Sequence, residues 1–391
     1  MTPQVPDSTH FTRVLELLTE NGFDGVAHAL EILFNEAMKI ERSEFLRAAP
    51  YERSEDRRGH ANGFKPKRIE TRVGGLDLAI PQVRGVDGEG FYPKSLERGV
   101  RSERALKLAI AEMYVQGVST RKVVEITREL CGLDVSSTQV SRAAQMLDGE
   151  LETWRTRPLR CFPYLILDAR YEKVRHGGSV VDCAVLMAVG IDERGHRSIL
   201  GTSVSLSEAE VHWRSFLEGL QERGLHGVRM ITSDDHAGLG KALTSRFAGV
   251  PWQRCQFHLQ QNAQAYVPRQ SMKGEVAADL RGIFNAPDRN EADRLLRLAV
   301  DKYVEQAPRL AEWIEANIPE GLTVFELPRH HRLRMRTTNG VERLSREVKR
   351  RTRVATLFPN EASLLRLVSA VLIEISEEWE TGRIYLNMEA D

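Results

Sequence analysis

Long hydrophobic runs and an excess of charge of one sign are both missing from this sequence of 391 residues. No segment approaches the roughly 20 apolar residues that a membrane-spanning helix needs, and the first ten residues lack the apolar centre of a signal peptide. We therefore expect a cytoplasmic protein with no membrane partner. Lys plus Arg and Asp plus Glu both number 55, so a nucleic-acid partner must be sought in local clusters of charge.

Cysteine is also scarce. The four cysteines, Cys131, Cys161, Cys183 and Cys255, lack paired spacing, which argues against a disulfide framework and against a four-cysteine zinc site. The contents of 41% apolar and 28% charged residues are typical of a soluble globular chain, and the length favours two or three domains. Composition alone assigns no fold class.

The amino-terminal part, residues 1–99, is predicted to be a helical region with a basic arm and a β-hairpin. Apolar residues at helical spacing from 11 to 48, interrupted near Asn21, indicate a pair of helices. The polar, arginine-rich stretch 51–72 suggests a loop or a flexible arm, and the alternation on both sides of Gly74 suggests a short hairpin.

Residues 100–157 predict three close helices, and the last two resemble a helix-turn-helix. Serines stand where helix N-caps belong, while Gly117 and Gly132 stand where helices end. Gln139 and Arg142, on the third helix, are suited to contact base edges or phosphates of DNA. A plain helical bundle with a polar face is the alternative.

From residue 158 to 259 the pattern changes to three strands in a meander, followed by alternating helices and strands. This is the element order of an RNase H-like mixed sheet. Residues 260–330 are almost all helical and predict an all-α insertion, and residues 331–391 complete the core with a basic helix and a final amphipathic helix. The predicted fold class is therefore α/β, an RNase H-like core with an all-helical insertion, preceded by the helical and helix-turn-helix region.

Two aspartates lie where β-strands are predicted. Asp168 lies inside the apolar run YLILDARY, where either a bound divalent cation or a salt bridge to Arg170 must compensate for lost hydration. Asp234 ends the apolar strand VRMIT just before a helix. Adjacent strand residues point to opposite faces, so only one of Asp234 and Asp235 can share a site with Asp168. We assign Asp234 to that site and Asp235 to the N-cap of the helix.

A third carboxylate, Glu342, lies on a predicted helix that is unusually basic. Between Arg332 and Arg353 nine Lys or Arg stand against two Glu, a net charge of plus seven. This excess favours phosphate contact over a simple surface ion pair between Glu342 and the residue four positions later. The candidates for contact with DNA are Arg346, Lys349, Arg350 and Arg353.

Together the three carboxylates predict a site for two metal ions, Mg²⁺ or Mn²⁺. Two such ions, about 3.5 to 4 Å apart, can clamp the attacking and the leaving oxygen of an in-line phosphoryl displacement. Hard cations take oxygen ligands, so carboxylates suit them better than cysteine or histidine. Cys255 and His258 have the spacing of half a zinc site but no convincing second pair, so we expect them to pack or hydrogen bond near the site.

Eight motifs follow one another along nearly the whole chain: YERSEDRRGHANGF, FYPKSLERGVRSERAL, AEMYVQGVSTRKV, YLILDARYEKVR, SDDHAGL, WQRCQFH, TTNGVERLSREVKRRTRV and FPN. In this order they resemble the bacterial insertion-sequence transposases of the mutator type, which carry a DDE catalytic triad. The ordered series is far more specific than any one motif.

The resemblance implies that Asp168, Asp234 and Glu342 are the triad, and that Cys255 and His258 are the CxxH element of the family. It implies an all-helical insertion within the 107 residues between Asp234 and Glu342. It also implies Mg²⁺-dependent transesterification, binding to the terminal inverted repeats of a mobile element and to target DNA, a homodimer when two ends are synapsed, and a nucleoid-associated location in a bacterial cell.

Two other functions stay open at the level of the sequence. One is a nuclease on the same fold that only hydrolyses, although a simple nuclease needs no long amino-terminal recognition region. The other is a non-catalytic DNA-binding repressor that uses residues 100–157 while the remainder is a scaffold. The reaction products, and the effect of Asp168→Ala, distinguish these functions.

Overall fold

The computed structural model describes residues 8–86, 90–99, 102–353 and 357–389. Val100, Arg101 and Val354, which belong to two of the motifs, lie outside the described residues. The chain divides into two compact units, one made of residues 1–114 and 118–146, the other of residues 115–117 and 147–391. The finer division predicted from the sequence stays a prediction. None of the described helices combines the length and the apolarity that crossing a membrane requires.

The first unit begins with two helices, α1 (Ser8–Asn21) and α2 (Val26–Leu46), joined by a 3-10 turn, which confirms the predicted helical pair. A hairpin of β1 (His60–Thr71) and β2 (Gly74–Arg84) follows. Its inward-facing side chains pack with Met38 of α2 in one small core, and they are Leu76, Leu78 and Ile80.

The prediction of a loop or arm was wrong for residues 60–67, which form the first part of strand β1, whereas residues 68–71 belong to the hairpin that the sequence predicted. None of the residues of β1 is buried and eight of the twelve are exposed, so the strand needs few apolar side chains of its own. Its backbone pairs with β2 from His60 opposite Arg84 to Thr71 opposite Gly74. The hairpin is therefore longer than predicted, because the first part of β1 is polar and shows no clear apolar alternation.

Three helices follow, α3 (Arg104–Val115), α4 (Thr120–Cys131) and α5 (Ser137–Ala144). The Ser119 hydroxyl caps α4, and Ser136 forms a capping box with Gln139 at the start of α5. The predicted third helix is divided, because a 3-10 turn separates α5 from α6 (Asp148–Thr156), which lies in the second unit.

The second unit is built on a five-stranded mixed sheet. Its strands are β3 (Tyr164–His176), β4 (Ser179–Ile191), β5 (Arg197–Ser205), β6 (Met230–Ser233) and β7 (Trp252–Arg254), in the spatial order β5-β4-β3-β6-β7. The first three strands form the predicted antiparallel meander, while β6 pairs parallel to β3 and β7 pairs parallel to β6. The carboxyl ends of β6 and β7 and the middle of β3 are therefore neighbours.

Among the described residues of the second unit, nine α-helices follow β5 along the chain. They are α7 (Glu210–Glu222), α8 (Ala237–Arg246), α9 (Gln256–Ala263), α10 (Lys273–Phe284), α11 (Arg289–Tyr303), α12 (Pro308–Asn317), α13 (Arg329–Met335), α14 (Asn339–Thr352) and α15 (Glu361–Thr381). Trp213 and Leu217 of α7 and Leu239 of α8 share a buried core with Leu165 and Leu167 of β3. The nearly all-helical stretch between β7 and α14 agrees with the predicted pattern.

Candidate active site

Asp168 lies in the middle of β3. Because strand side chains alternate, it points to the face opposite Leu165 and Leu167, away from their core. The carboxyl keeps some access to solvent, yet desolvation by the surrounding protein raises its pKa to about 6. Its Oδ2 accepts a hydrogen bond from Ser345 Oγ of α14 at 3.3 Å. Arg170, the expected salt-bridge partner, pairs with Glu172 at 2.5 Å instead.

Asp234 follows directly after β6, the parallel neighbour of β3. The assignment of Asp235 to the helix N-cap was wrong, because α8 begins at Ala237 and His236 is the N-cap residue. His236 Nδ1 accepts a hydrogen bond from the Gly238 N–H at 3.3 Å. The carboxylate of Asp235 instead forms an ion pair with Arg254 at 3.1 Å.

Glu342 lies in the first turn of α14, and the start of this helix is fixed to the sheet. The backbone N–H and the hydroxyl of Thr338 both donate to Cys255 Sγ, each at 3.4 Å. The backbone N–H of Cys255 donates to Ser233 O at 2.8 Å, at the end of β6. Buried Cys255 thus connects the strand that leads to Asp234 with the helix that carries Glu342.

His258 lies between the carboxylates. Its Nδ1 is 3.6 Å from Asp234 Oδ1, and its Nε2 is 3.9 Å from Glu342 Oε1. The charge of His258 also lowers the pKa of Asp168. The structure therefore places the ring of His258 within 4 Å of Asp234 and Glu342, and near enough to Asp168 for its charge to affect that carboxyl.

The surroundings of His258 favour the charged form of its imidazole. Its pKa is raised to about 9, first by the Cys255 thiol and then by Asp234 and Glu342, against the opposing effect of burial. Burial alone would raise the pKa of Cys255, but hydrogen bonding with His258 and Thr338 outweighs it and leaves that pKa below its usual value. The sulfur already accepts two hydrogen bonds from Thr338, and His258 Nδ1 forms none within the described residues. The carboxylates of Asp234 and Glu342, both within 4 Å of the ring, add to the effect of the thiol.

The donor atoms of this cluster fit a hard divalent cation. Glu342 Oε1 is buried and has no hydrogen-bond partner among the described residues, and Asp168 has the Ser345 hydroxyl as a side-chain partner. Oxygen-rich sites with lone pairs left over suit Mg²⁺ or Mn²⁺. Across the described ranges, however, no three His, Cys, Asp or Glu side chains are arranged to hold a metal ion as they stand. The donor atoms are therefore of the kind that such an ion binds, but their positions do not form a complete coordination shell.

The residues predicted to contact DNA lie in both units. On α14, Arg346, Lys349 and Arg353 are exposed, whereas Arg350 forms an ion pair with Glu347 at 2.6 Å. On α5, Arg142 is exposed, but the side-chain oxygen of Gln139 accepts a hydrogen bond from Ser136 N at 2.7 Å. The capping box therefore leaves only the amide N–H groups of Gln139 to donate elsewhere.

Sequence reasoning missed Ser345 and the link between Cys255 and Thr338. The apolar face of α14 was visible as a stripe, and its members Val341, Leu344 and Val348 are buried. Ser345 follows Glu342 by three positions, so it lies on a neighbouring part of the helix surface. That spacing was the one available signal.

Comparison with known proteins identifies the family. Residues 5–382 match the family model described as "Transposase, Mutator family", so the chain belongs to that family, as its motifs suggested. It is 59% identical, over 95% of each chain, to "Transposase for insertion sequence element IS406" of Burkholderia multivorans. It is 42% identical to "Transposase for insertion sequence element ISRM5" of Rhizobium meliloti, over 96% of this chain and 94% of that protein.

A solved structure of a simian T-cell lymphotropic virus intasome in complex with PP2A regulatory subunit B56 gamma also matches, over 52% of this chain and 66% of that chain. The sequence identity is 11% and the TM-score is 0.17, too low to bear on the fold.

Proposed function

We propose that this chain is a DNA transposase that binds the terminal inverted repeats of its mobile element and catalyses metal-dependent strand cleavage and strand transfer. The observation that carries the proposal is that Asp234 and Glu342 lie within 4 Å of the His258 ring, while Asp168 accepts a hydrogen bond from Ser345 on the helix that carries Glu342. Membership of the mutator family supports it. So does the sheet order β5-β4-β3-β6-β7, which we interpret as an RNase H-like core.

In this proposal Asp168, Asp234 and Glu342 hold two Mg²⁺ or Mn²⁺ ions. When bound, such ions activate the attacking hydroxyl and stabilise the leaving oxyanion. Ser345 orients the carboxylate of Asp168 through its hydrogen bond. His258 supplies positive charge among three carboxylates that would otherwise repel one another.

The proposed DNA contacts divide between the two units. Arg346, Lys349, Arg350 and Arg353 of α14 hold phosphates near the carboxylates, while Gln139 and Arg142 of α5 read or position the terminal repeat. Synapsis of two ends requires two active sites, so we propose a homodimer on end DNA. Light scattering of the protein with and without that DNA measures the expected doubling of mass.

The catalytic proposal is tested with the full-length protein, Mg²⁺ and DNA that carries the repeats flanking the coding sequence. We expect Asp168→Asn and Glu342→Gln each to lower strand joining by more than about 100-fold, because losing even a partner outside the ligand shell costs 10- to 100-fold. End binding should remain, since it rests on contacts elsewhere. Asp235→Asn is the matched control and should still join strands.

The same assay separates the two competing functions. A protein that hydrolyses DNA but never joins an end to a target strand is a nuclease. A protein in which Asp168→Asn changes no measurable activity is a DNA-binding repressor. Either result refutes the transposase proposal.

A further inference from the structure

Three arginines on and beside α14 form a second cluster of positive charge, and none of them is among the residues assigned to DNA contact above. The guanidinium of Arg197, at the start of β5, lies between the rings of Trp379 and Tyr385, 4.0 and 4.2 Å from their centroids. Arg334 lies over Tyr385 at 4.9 Å. With Arg343 these arginines form what we call the arginine cluster.

The arginine cluster carries three guanidinium charges. No carboxylate in the described part of the chain forms an ion pair with any of its three members, Arg197, Arg334 and Arg343. Burial lowers the pKa of Arg197, and the charges of Arg334 and Arg343 lower it further. Positive charge is therefore concentrated at this place and is only partly offset by Glu378.

The arginine cluster opens into a groove of about 660 Å³ between α14 and α15. Six arginines and three glutamates line this groove. Two of the glutamates are already paired, Glu347 with Arg350 at 2.6 Å and Glu374 with Arg351 at 2.9 Å. The third, Glu378, does not balance the remaining arginines, so the groove as a whole is cationic.

We propose that this groove binds a phosphodiester of the DNA substrate, next to the phosphate that reacts at the carboxylates. A guanidinium offers a planar fork of N–H donors that matches two phosphate oxygens. The rings of Trp379 and Tyr385 fix the plane of Arg197 before DNA arrives, which reduces the conformational entropy lost on binding. The inference rests on the proposed function, because DNA is taken to be the substrate.

The position of the groove on α14 relates it to the carboxylates. Glu342 and Arg343 are consecutive, so their side chains leave the helix about 100° apart. A helix with its side chains is only about 10 to 12 Å wide, so one DNA segment can contact both sides of α14. The groove would hold the part of the substrate that flanks the reacting phosphate.

The test is the salt dependence of DNA binding, measured by fluorescence anisotropy with the full-length protein and a short labelled duplex of unrelated sequence. Removing one phosphate contact lowers the slope of log K against log salt by about 0.9. We expect this loss for Arg343→Gln and Arg197→Gln. Arg309→Gln on α12, an exposed arginine outside the groove, should keep the wild-type slope.

Thermal melting separates lost binding from lost folding. Arg197→Gln also removes stacking on two rings, so Arg343→Gln with an unchanged melting temperature is the decisive variant. An unchanged salt slope for Arg343→Gln overturns the groove proposal, whatever the joining activity. Strand joining by Asp168→Asn would instead overturn the catalytic proposal, and a lowered slope in Arg343→Gln would still support the groove as a DNA site.

Discussion

At the scale of single residues, the ionised carboxylate of Asp168 should lower the folding stability of the metal-free protein. Its folded pKa of about 6 lies above the ordinary 3.8, so the protonated carboxyl favours folding below about pH 4, and this contribution is lost as pH rises to 6. This rise in the pKa of Asp168 corresponds to a loss of about 3 kcal/mol in folding stability when the carboxyl is ionised. In metal-free buffer at pH 7, Asp168→Asn should therefore raise the free energy of unfolding by up to about 3 kcal/mol.

Denaturant unfolding of the wild type and Asp168→Asn at pH 7 and pH 3.5 measures this effect. The difference should disappear at the lower pH, where the wild-type carboxyl is protonated in both states. Added Mg²⁺ should stabilise the wild type more than the variant, since a ligand stabilises the state that binds it. Equal stability of the two proteins at both pH values would show that this carboxyl is not desolvated.

Ser345 is predicted to position Asp168. Its hydrogen bond lowers the pKa of Asp168, so Ser345→Ala should move the acidic limb of the joining rate to higher pH. We expect the rate at neutral pH to fall by about 10-fold, at the mild end of losses for partners of metal ligands. Ser345→Thr, which keeps the hydroxyl, should restore the profile. A pH profile identical to that of the wild type would mean that the hydroxyl has no such role.

Residue chemistry predicted the carboxylates better than their neighbours. The apolar strands around Asp168 and before Asp234 made both aspartates conspicuous, and the structure pairs these two strands side by side. Asp235 was misassigned because an imidazole can also accept the capping hydrogen bond, and α8 starts one residue later than an Asp235 cap requires. The place of His258 between Asp234 and Glu342 depends on contacts distant in sequence, which a CxxH spacing does not reveal.

At the scale of elements, one glycine accepts two backbone hydrogen bonds from the carboxyl-terminal segment. The backbone N–H groups of Tyr385 and Leu386 both donate to Gly195 O, at 2.9 and 3.1 Å. A Cβ at position 195 would lie 1.7 Å from Leu386 O, and the φ angle of Gly195 is +83°. Any side chain at this position must push the segment that carries Tyr385 away from the β4–β5 turn.

We therefore predict that Gly195→Ala lowers stability more than Gly177→Ala does. Gly177 also has a positive φ, +55°, but a Cβ there meets nothing within 4 Å. The left-handed conformation alone costs about 1 to 2 kcal/mol, and the clash at Gly195 adds to it. Thermal melting of the two variants gives the comparison. Equal decreases in melting temperature would show that the carboxyl-terminal segment moves away from residue 195 with no loss of stability.

Elements with a strong apolar pattern were predictable and others were not. The meander follows from continuous apolar runs and turn residues. The first part of strand β1 was missed because it is polar, and its backbone pairs with β2. Helix α13 spans only seven residues with several arginines, which is too short for a periodic pattern to appear.

At the scale of the whole molecule, the order of strands brings distant acidic residues together. Because β3 lies at the centre of the sheet and β6 beside it, Asp168 and Asp234 come from adjacent strands, and α14 brings Glu342 against them. The sequence predicted the element order, but the pairing of β3 with β6 is a long-range contact with no local signal. A net charge of zero likewise conceals the cationic surface of α14.

The most direct test of the central claim, that these carboxylates hold the catalytic metal, is strand joining by Asp234→Cys in Mg²⁺ and in Mn²⁺. A thiolate is a poor ligand for Mg²⁺ and a better one for softer cations. We expect Asp234→Cys to give no joined product with Mg²⁺ and to recover part of its joining activity with Mn²⁺. The control Asp235→Cys should join strands with Mg²⁺. Joining by Asp234→Cys with Mg²⁺ at the wild-type rate would contradict the claim.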